Sequence, residues 1–114
     1  MTTYLSYGFL ILIGVLFFRR WMVFRAVKLK LPEYLKGGAI VVDVRTPEEF
    51  ISGHVKGSIN IPLHELAGKT NQLNKLQPIL VCCRSGSRSG MAVKMLKKSG
   101  YDNAINAGPW NNLV

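Results

Sequence analysis

The segment Cys82-Cys-Arg-Ser-Gly-Ser-Arg-Ser-Gly90 packs two thiols, two guanidinium groups and a run of small residues into one short stretch. Gly86, with Ser85, Ser87 and Ser89 around it, lets a backbone curl tightly enough for successive N–H groups to point inward as an anion-binding nest. Arg84 and Arg88 add positive charge. Arg88 would stand at the start of the helix that follows, against that helix's own dipole, and such breaches of local rules gather at functional sites. A cysteine at the mouth of this nest should be held largely as thiolate, and a thiolate is a nucleophile. Cys83, the first residue out of an apolar strand and into the loop, is the candidate, and Cys82 reads as a small buried hydrophobe.

Other polar residues fit less chemistry. Asp43 and Arg45 sit at the end of an apolar run. His54 reads as a hydrogen-bonding loop residue and His64 as surface. Two histidines without a third ligand make a poor metal site, so neither a metal nor another cofactor is expected. With only two cysteines, and those adjacent, a disulfide framework is excluded, and two free thiols suit a reducing compartment.

The elements that must position this loop follow from periodicity. Ala39-Ile-Val-Val-Asp-Val44 and Pro78-Ile-Leu-Val-Cys-Cys83 are continuous apolar runs, the pattern of parallel strands covered on both faces. Pro47-Glu-Glu-Phe50 opens a helix that Gly53 stops. Ile59–Ile61 is a short strand ended by Pro62, and Leu63–Leu76 has the spacing of a surface helix broken near Gly68. The spacing over Met91–Ser99 predicts a helix with Met91, Ala92, Met95, Leu96 and Ser99 on one face and Lys94, Lys97 and Lys98 on the other, ended by Gly100. A last strand lies near Ala104–Asn106. This alternation means an α/β layer fold, in which ligands collect at the carboxyl ends of the strands.

The first part of the chain differs in kind. Residues 2–18 carry no charge and amount to roughly 25 Å of helix at 1.5 Å per residue, somewhat short of a bilayer core. Arg19, Arg20, Arg25, Lys28 and Lys30 follow within twelve residues that contain no acid. Positive charge after the apolar run, with none before it, is the reverse of a cleavable signal peptide. It leads to the expectation of a transmembrane anchor over residues 1–24, single-pass with the N-terminus out, a basic juxtamembrane linker over 25–30, and a domain over 31–114 in the cytoplasm. From Leu31 onward ten basic residues face six acidic ones, a mild excess that draws small anions. Five of the nine net positive charges therefore belong to the membrane-flanking cluster, and no nucleic-acid partner is expected. At 114 residues the chain has room for one small domain.

The motifs taken together resemble the single-domain rhodaneses. Cys83-Arg-Ser-Gly-Ser-Arg-Ser89 is similar to that family's active-site loop, Asp43-Val-Arg-Thr-Pro-Glu-Glu-Phe50 and Gly53-His-Val-Lys-Gly-Ser-Ile-Asn-Ile-Pro-Leu63 to its first strand, helix and second strand, and Asn106-Ala-Gly-Pro-Trp110 to its closing segment. The resemblance implies a parallel sheet flanked by helices on both faces. It also implies sulfur transfer through a persulfide on Cys83, from a small anionic donor such as thiosulfate to a thiol, a protein acceptor or cyanide. By the same resemblance Arg84, Ser85, Gly86, Ser87 and Arg88 bind the donor, and Asp43 and Arg45 give structural support. Two alternatives stand beside it. One is a persulfide carrier or sensor at the membrane that does not turn over. The other is a cysteine phosphatase or arsenate reductase using Cys82, since Cys82 to Arg88 has the five intervening residues that those loops need.

Overall fold

The computed structural model describes residues 2–114. A long helix, α1 (Thr2–Lys36), leads into a four-stranded sheet of β1 (Ile40–Asp43), β2 (Ile59–Asn60), β3 (Ile79–Cys83) and β4 (Ala104–Pro109). Helices α2 (Pro47–Ile51), α3 (Leu66–Lys69) and α4 (Ser87–Lys98) connect the strands. The strand order is β2-β1-β3-β4, and every pair is parallel. The chain leaves β1 toward β2 on one side and later fills β3 and β4 on the other. The switch point of the sheet therefore lies between the carboxyl ends of β1 and β3, at Asp43 and Cys83.

β1 and β3 are apolar without alternation because both of their faces are covered. On one face Val42, Val81 and Cys83 join Ile61, Leu66, Ala92 and Leu96 in a core closed by α3 and α4. On the other, Val41, Leu80 and Cys82 join Leu31, Val55 and Ala107, with Val27, Tyr34, Trp110 and Leu113 packed around them. The second cover is therefore the C-terminal end of α1 and the closing 3-10 turn at Trp110–Leu113.

Two segments depart from the sequence pattern. Leu63–Gln72 is not one helix but a 3-10 turn, the single turn α3 and a second 3-10 turn. Leu66 and Leu73 are its buried anchors, and Leu76 lies outside, largely exposed. On α4 the buried positions are Ser89, Ala92 and Leu96, with Val93 and Met95 partly packed and Met91 left in solvent.

The expected transmembrane anchor needs correction. α1 is a single helix that runs unbroken through the basic segment at 25–30 and past Pro32 to Lys36. Among the described residues, no helix is long and apolar enough to cross a membrane. The physical reason is that Arg19 and Arg20 end the uncharged stretch while it is still short, and Thr3, Ser6, Gly8 and Gly14 dilute its apolar character. Met1, counted in the expected anchor, lies outside the described residues. The side chains of Leu5, Phe9, Ile11 and Phe17 are nonetheless exposed.

Candidate active site

The strand β3 alternates its side chains, so Cys82 and Cys83 leave it on opposite faces of the sheet. Both are fully buried and unpaired. At Cys82 burial, and after it the nearby charge of Asp43, pushes the thiol up to about 12, so it stays protonated. Cys83 is also pushed up by burial. There, however, the Ser89 hydroxyl and the backbone N–H groups of Ser89, Gly86 and Ser85 favour the anion more strongly and hold the thiol below its ordinary range.

The curl of the loop explains those donors. Gly86 adopts φ +101°, a left-handed turn that L side chains rarely enter, and its Cα side lies close against Gly108, whose Cα a Cβ there would meet at 3.4 Å. That turn swings the Gly86 N–H onto Cys83 Sγ at 2.9 Å and leads into α4, whose N-terminus faces the same sulfur. Ser89, on the first turn of α4, has its Oγ 3.4 Å from Sγ and 2.6 Å from Asn106 Oδ1, so its one hydroxyl proton is shared between two acceptors.

Asn106 ties the loop to the last strand. Its Oδ1 also accepts the Gly108 N–H at 2.9 Å, and its Nδ2 donates to the Gly86 carbonyl at 3.1 Å. The pairing of β3 with β4 slips between Val81 and Cys82, so that Asn106 faces Val81 and Gly108 faces Cys82. This irregularity aims Asn106 at the loop, the usual service of a bulge beside a site. The sequence offered Ser89 only as a small residue of the nest, not as a partner of the sulfur, and did not offer Asn106 as a site residue.

The arginines divide. Arg88 is turned to α2, where Nη1 and Nη2 meet Glu49 Oε1 and Oε2 at 2.7 and 3.0 Å. The pairing and a capping box with Thr46 hold the Glu49 carboxyl down at about 2, the bond from Arg88 being the larger cause. The unfavourable place of Arg88 on its helix is thus answered by a carboxylate 39 residues away in sequence. Arg84, Ser85 and Ser87 are exposed on the rim of the loop.

Asp43 and Arg45 form a buried pair, with Arg45 Nη2 2.7 Å from Asp43 Oδ2 and Nε 2.9 Å from both carboxylate oxygens. Arg45 also donates to the Gly53 carbonyl at 2.7 Å and lies over the Trp110 ring at 4.9 Å. This pair links the end of β1, the loop after α2 and the closing turn. His54 stacks on Phe50 at 3.8 Å and donates through Nδ1 to the Phe50 carbonyl at 2.8 Å. His64 lines a shallow hollow with Val44, Thr46 and Arg88 beside the loop.

A buried thiol stabilised as the anion by converging N–H groups thus stands at the switch point of a parallel sheet. The rhodanese-like domain family matches residues 29–109. The chain belongs to that family. This rhodanese-like domain is 41% identical over 69 residues to the putative sulfur carrier protein YrkF of Bacillus subtilis, covering 60% of this chain and 37% of that protein. It is likewise 41% identical over 69 residues to the thiosulfate sulfurtransferase PspE of Escherichia coli, covering 59% of this chain and 66% of PspE. It thus spans just over a third of one relative and about two thirds of the other. A solved structure described as a rhodanese with anions from E. coli superposes with a TM-score of 0.63 at 35% identity, covering 67% of this chain and 92% of that one.

Proposed function

We propose that this rhodanese-like domain is a sulfurtransferase that moves a sulfane sulfur from a small anionic donor such as thiosulfate, through a persulfide on Cys83, to a thiol on a small molecule or protein, or to cyanide. The observation that carries the reading is the Gly86 N–H aimed at Cys83 Sγ from 2.9 Å, inside a loop whose neighbouring N–H groups favour the same anion. The Cys83 thiolate attacks the outer sulfur of thiosulfate, forming the Sγ–S bond. The S–S bond of thiosulfate breaks, its electron pair leaves with sulfite, and a persulfide anion remains on Cys83. The same donors then face the added negative charge, stabilisation by preorganised dipoles that need not move as the charge shifts. In this reading Arg84, on the rim, draws the donor in, Ser85, Gly86 and Ser87 shape the cradle, and Arg88 acts by bracing the loop against Glu49. The name of PspE supports thiosulfate as the donor.

Sulfite release from thiosulfate in the presence of a thiol tests the proposal. Wild type should turn over, and Cys83→Ser should fall to the uncatalysed rate. The carrier reading is favoured by the name of YrkF. A one-sulfur mass gain on Cys83 without repeated sulfite release would select it. The hydrolase reading through Cys82 finds no support, because a thiol held neutral up to about 12 supplies no nucleophile at ordinary pH.

We also propose that the first half of α1 holds the domain at the cytoplasmic face of a membrane, by insertion that need not cross it. Exposed apolar side chains along residues 4–18, followed by five cations without an intervening acid, support this. The full chain should float with liposomes containing anionic lipid, and a chain that stays in the bottom fraction would contradict the reading.

A further inference from the structure

A groove of about 650 Å3 runs between α1 and the loop end of the sheet. One wall is α1, through Trp21, Phe24, Arg25 and Lys28, and the opposite wall includes Ser85 and Pro109. That volume is in the range of seats for whole small organic molecules and far exceeds what a small tetrahedral anion fills. The anion has its own seat in the N–H cradle, so the groove is left for the other participant in the reaction. Ser85 belongs to both, since its backbone N–H favours the Cys83 anion while the residue lines the groove.

The chemistry of the α1 wall is mixed. Trp21 and Phe24 offer apolar rings, and the Arg25 guanidinium lies over the Trp21 ring at 5.2 Å. Among the described residues, neither Arg25 nor Lys28 has a carboxylate at ion-pair distance, so both charges are free for a ligand. These wall residues precede residue 29, where the match to the family begins, so the α1 wall of the groove lies outside the matched domain while its other wall lies within it.

We infer that the groove seats the sulfur acceptor, and that this acceptor is an amphiphilic thiol whose apolar chain lies on Trp21 and Phe24 and whose anionic group meets Arg25 and Lys28. The inference rests on the sulfur-transfer reading above. The acceptor thiol gives its proton to the persulfide anion on Cys83, and the resulting thiolate attacks the terminal sulfur. A bond forms between the acceptor sulfur and that sulfur, the Sγ–S bond breaks with its electron pair returning to Sγ, and the acceptor leaves as a hydropersulfide with the cradle thiolate restored.

The test uses the full chain in zwitterionic nanodiscs. It is first loaded with thiosulfate, and single-turnover transfer is then measured per persulfide to 3-mercaptopropionate, 8-mercaptooctanoate and 8-mercaptooctanol, the last controlling for partition into lipid. Transfer to 8-mercaptooctanoate should exceed that to the short acid by about tenfold or more, given the apolar length it adds to the contact. The paired change Arg25→Gln and Lys28→Gln should remove its advantage over the alcohol, and Trp21→Ser with Phe24→Ser should remove the chain-length preference. Equal rates for the three thiols, or preferences that survive both variants in protein that still loads, would overturn the inference alone. Failure of wild type to load at all would overturn the sulfur-transfer reading beneath it.

Discussion

At the end of β3 two adjacent cysteines face opposite sides of one sheet, and the two sides treat a thiol in opposite ways. On the Cys82 side lie Leu31, Val41, Leu80 and Ala107, with the carboxylate of Asp43 nearby, and the thiol is driven toward its neutral form. Cys83 is also closed to solvent, but there a left-handed glycine and a helix start bring backbone N–H groups onto the sulfur, and the anion wins. Neither sulfur is open to solvent, so lack of exposure alone does not select a nucleophile, although Cys82 lies the deeper of the two. The difference lies in donors fixed by the backbone, which cost no reorganisation when charge appears.

The strongest way to break this contrast is to remove the supports of the favoured side. Asp43→Ala would leave Arg45 as an uncompensated buried charge and should cost about 3–5 kcal/mol of stability in a urea titration, a large share of what a small domain has. Asn106→Ala strips the Gly108 N–H and the Ser89 hydroxyl of their acceptor and frees the Gly86 carbonyl from its side-chain donor. A loss of about 1–3 kcal/mol is expected from the unpaired polar groups.

Glu49→Gln releases Arg88 from α2, and because the pair is partly exposed the stability change should stay below about 1 kcal/mol. Sulfite release should nevertheless drop about tenfold as the loop loosens. The acid side offers a further check. The Glu49 carboxyl is lower in the fold than its ordinary 4.5, so its contribution is present above that value and lost as pH falls toward about 2; in Glu49→Gln that part of the acid slope should vanish.

The smallest effect sharpens the other side. Neutral Cys82 supports the fold fully below the ordinary thiol value of 9.0, and that support is lost as pH rises from there toward about 12. Cys82→Val, measured by thermal unfolding between these limits, should lose less stability with rising pH than wild type while keeping sulfite release unchanged.

Much of this arrangement is written in local sequence. The unbroken apolar runs at β1 and β3, the proline and acids that open α2, and the Gly/Ser loop each carry their structure within a few residues. What escaped depends on partners far along the chain. Nothing near Arg88 announces Glu49, and nothing near Ser89 announces Asn106, which reaches the loop only through a slip in strand pairing. The segment at Leu63–Gln72 kept helical spacing but is held by single buried leucines, so tertiary anchoring replaced periodicity. α1 misled in a different way: its apolar first half resembles a span, and its last turns, through Val27, Leu31 and Tyr34, belong to the domain's core.

The central claim is that the loop selects Cys83 over its neighbour. Fragmentation mass spectrometry of the peptide holding both cysteines, after thiosulfate treatment of wild type, Cys82→Ser and Cys83→Ser, reads it directly. The added sulfur should sit on Cys83 in wild type, persist in Cys82→Ser and be absent from Cys83→Ser. Sulfur found on Cys82, or retained when Cys83 is gone, would contradict the account.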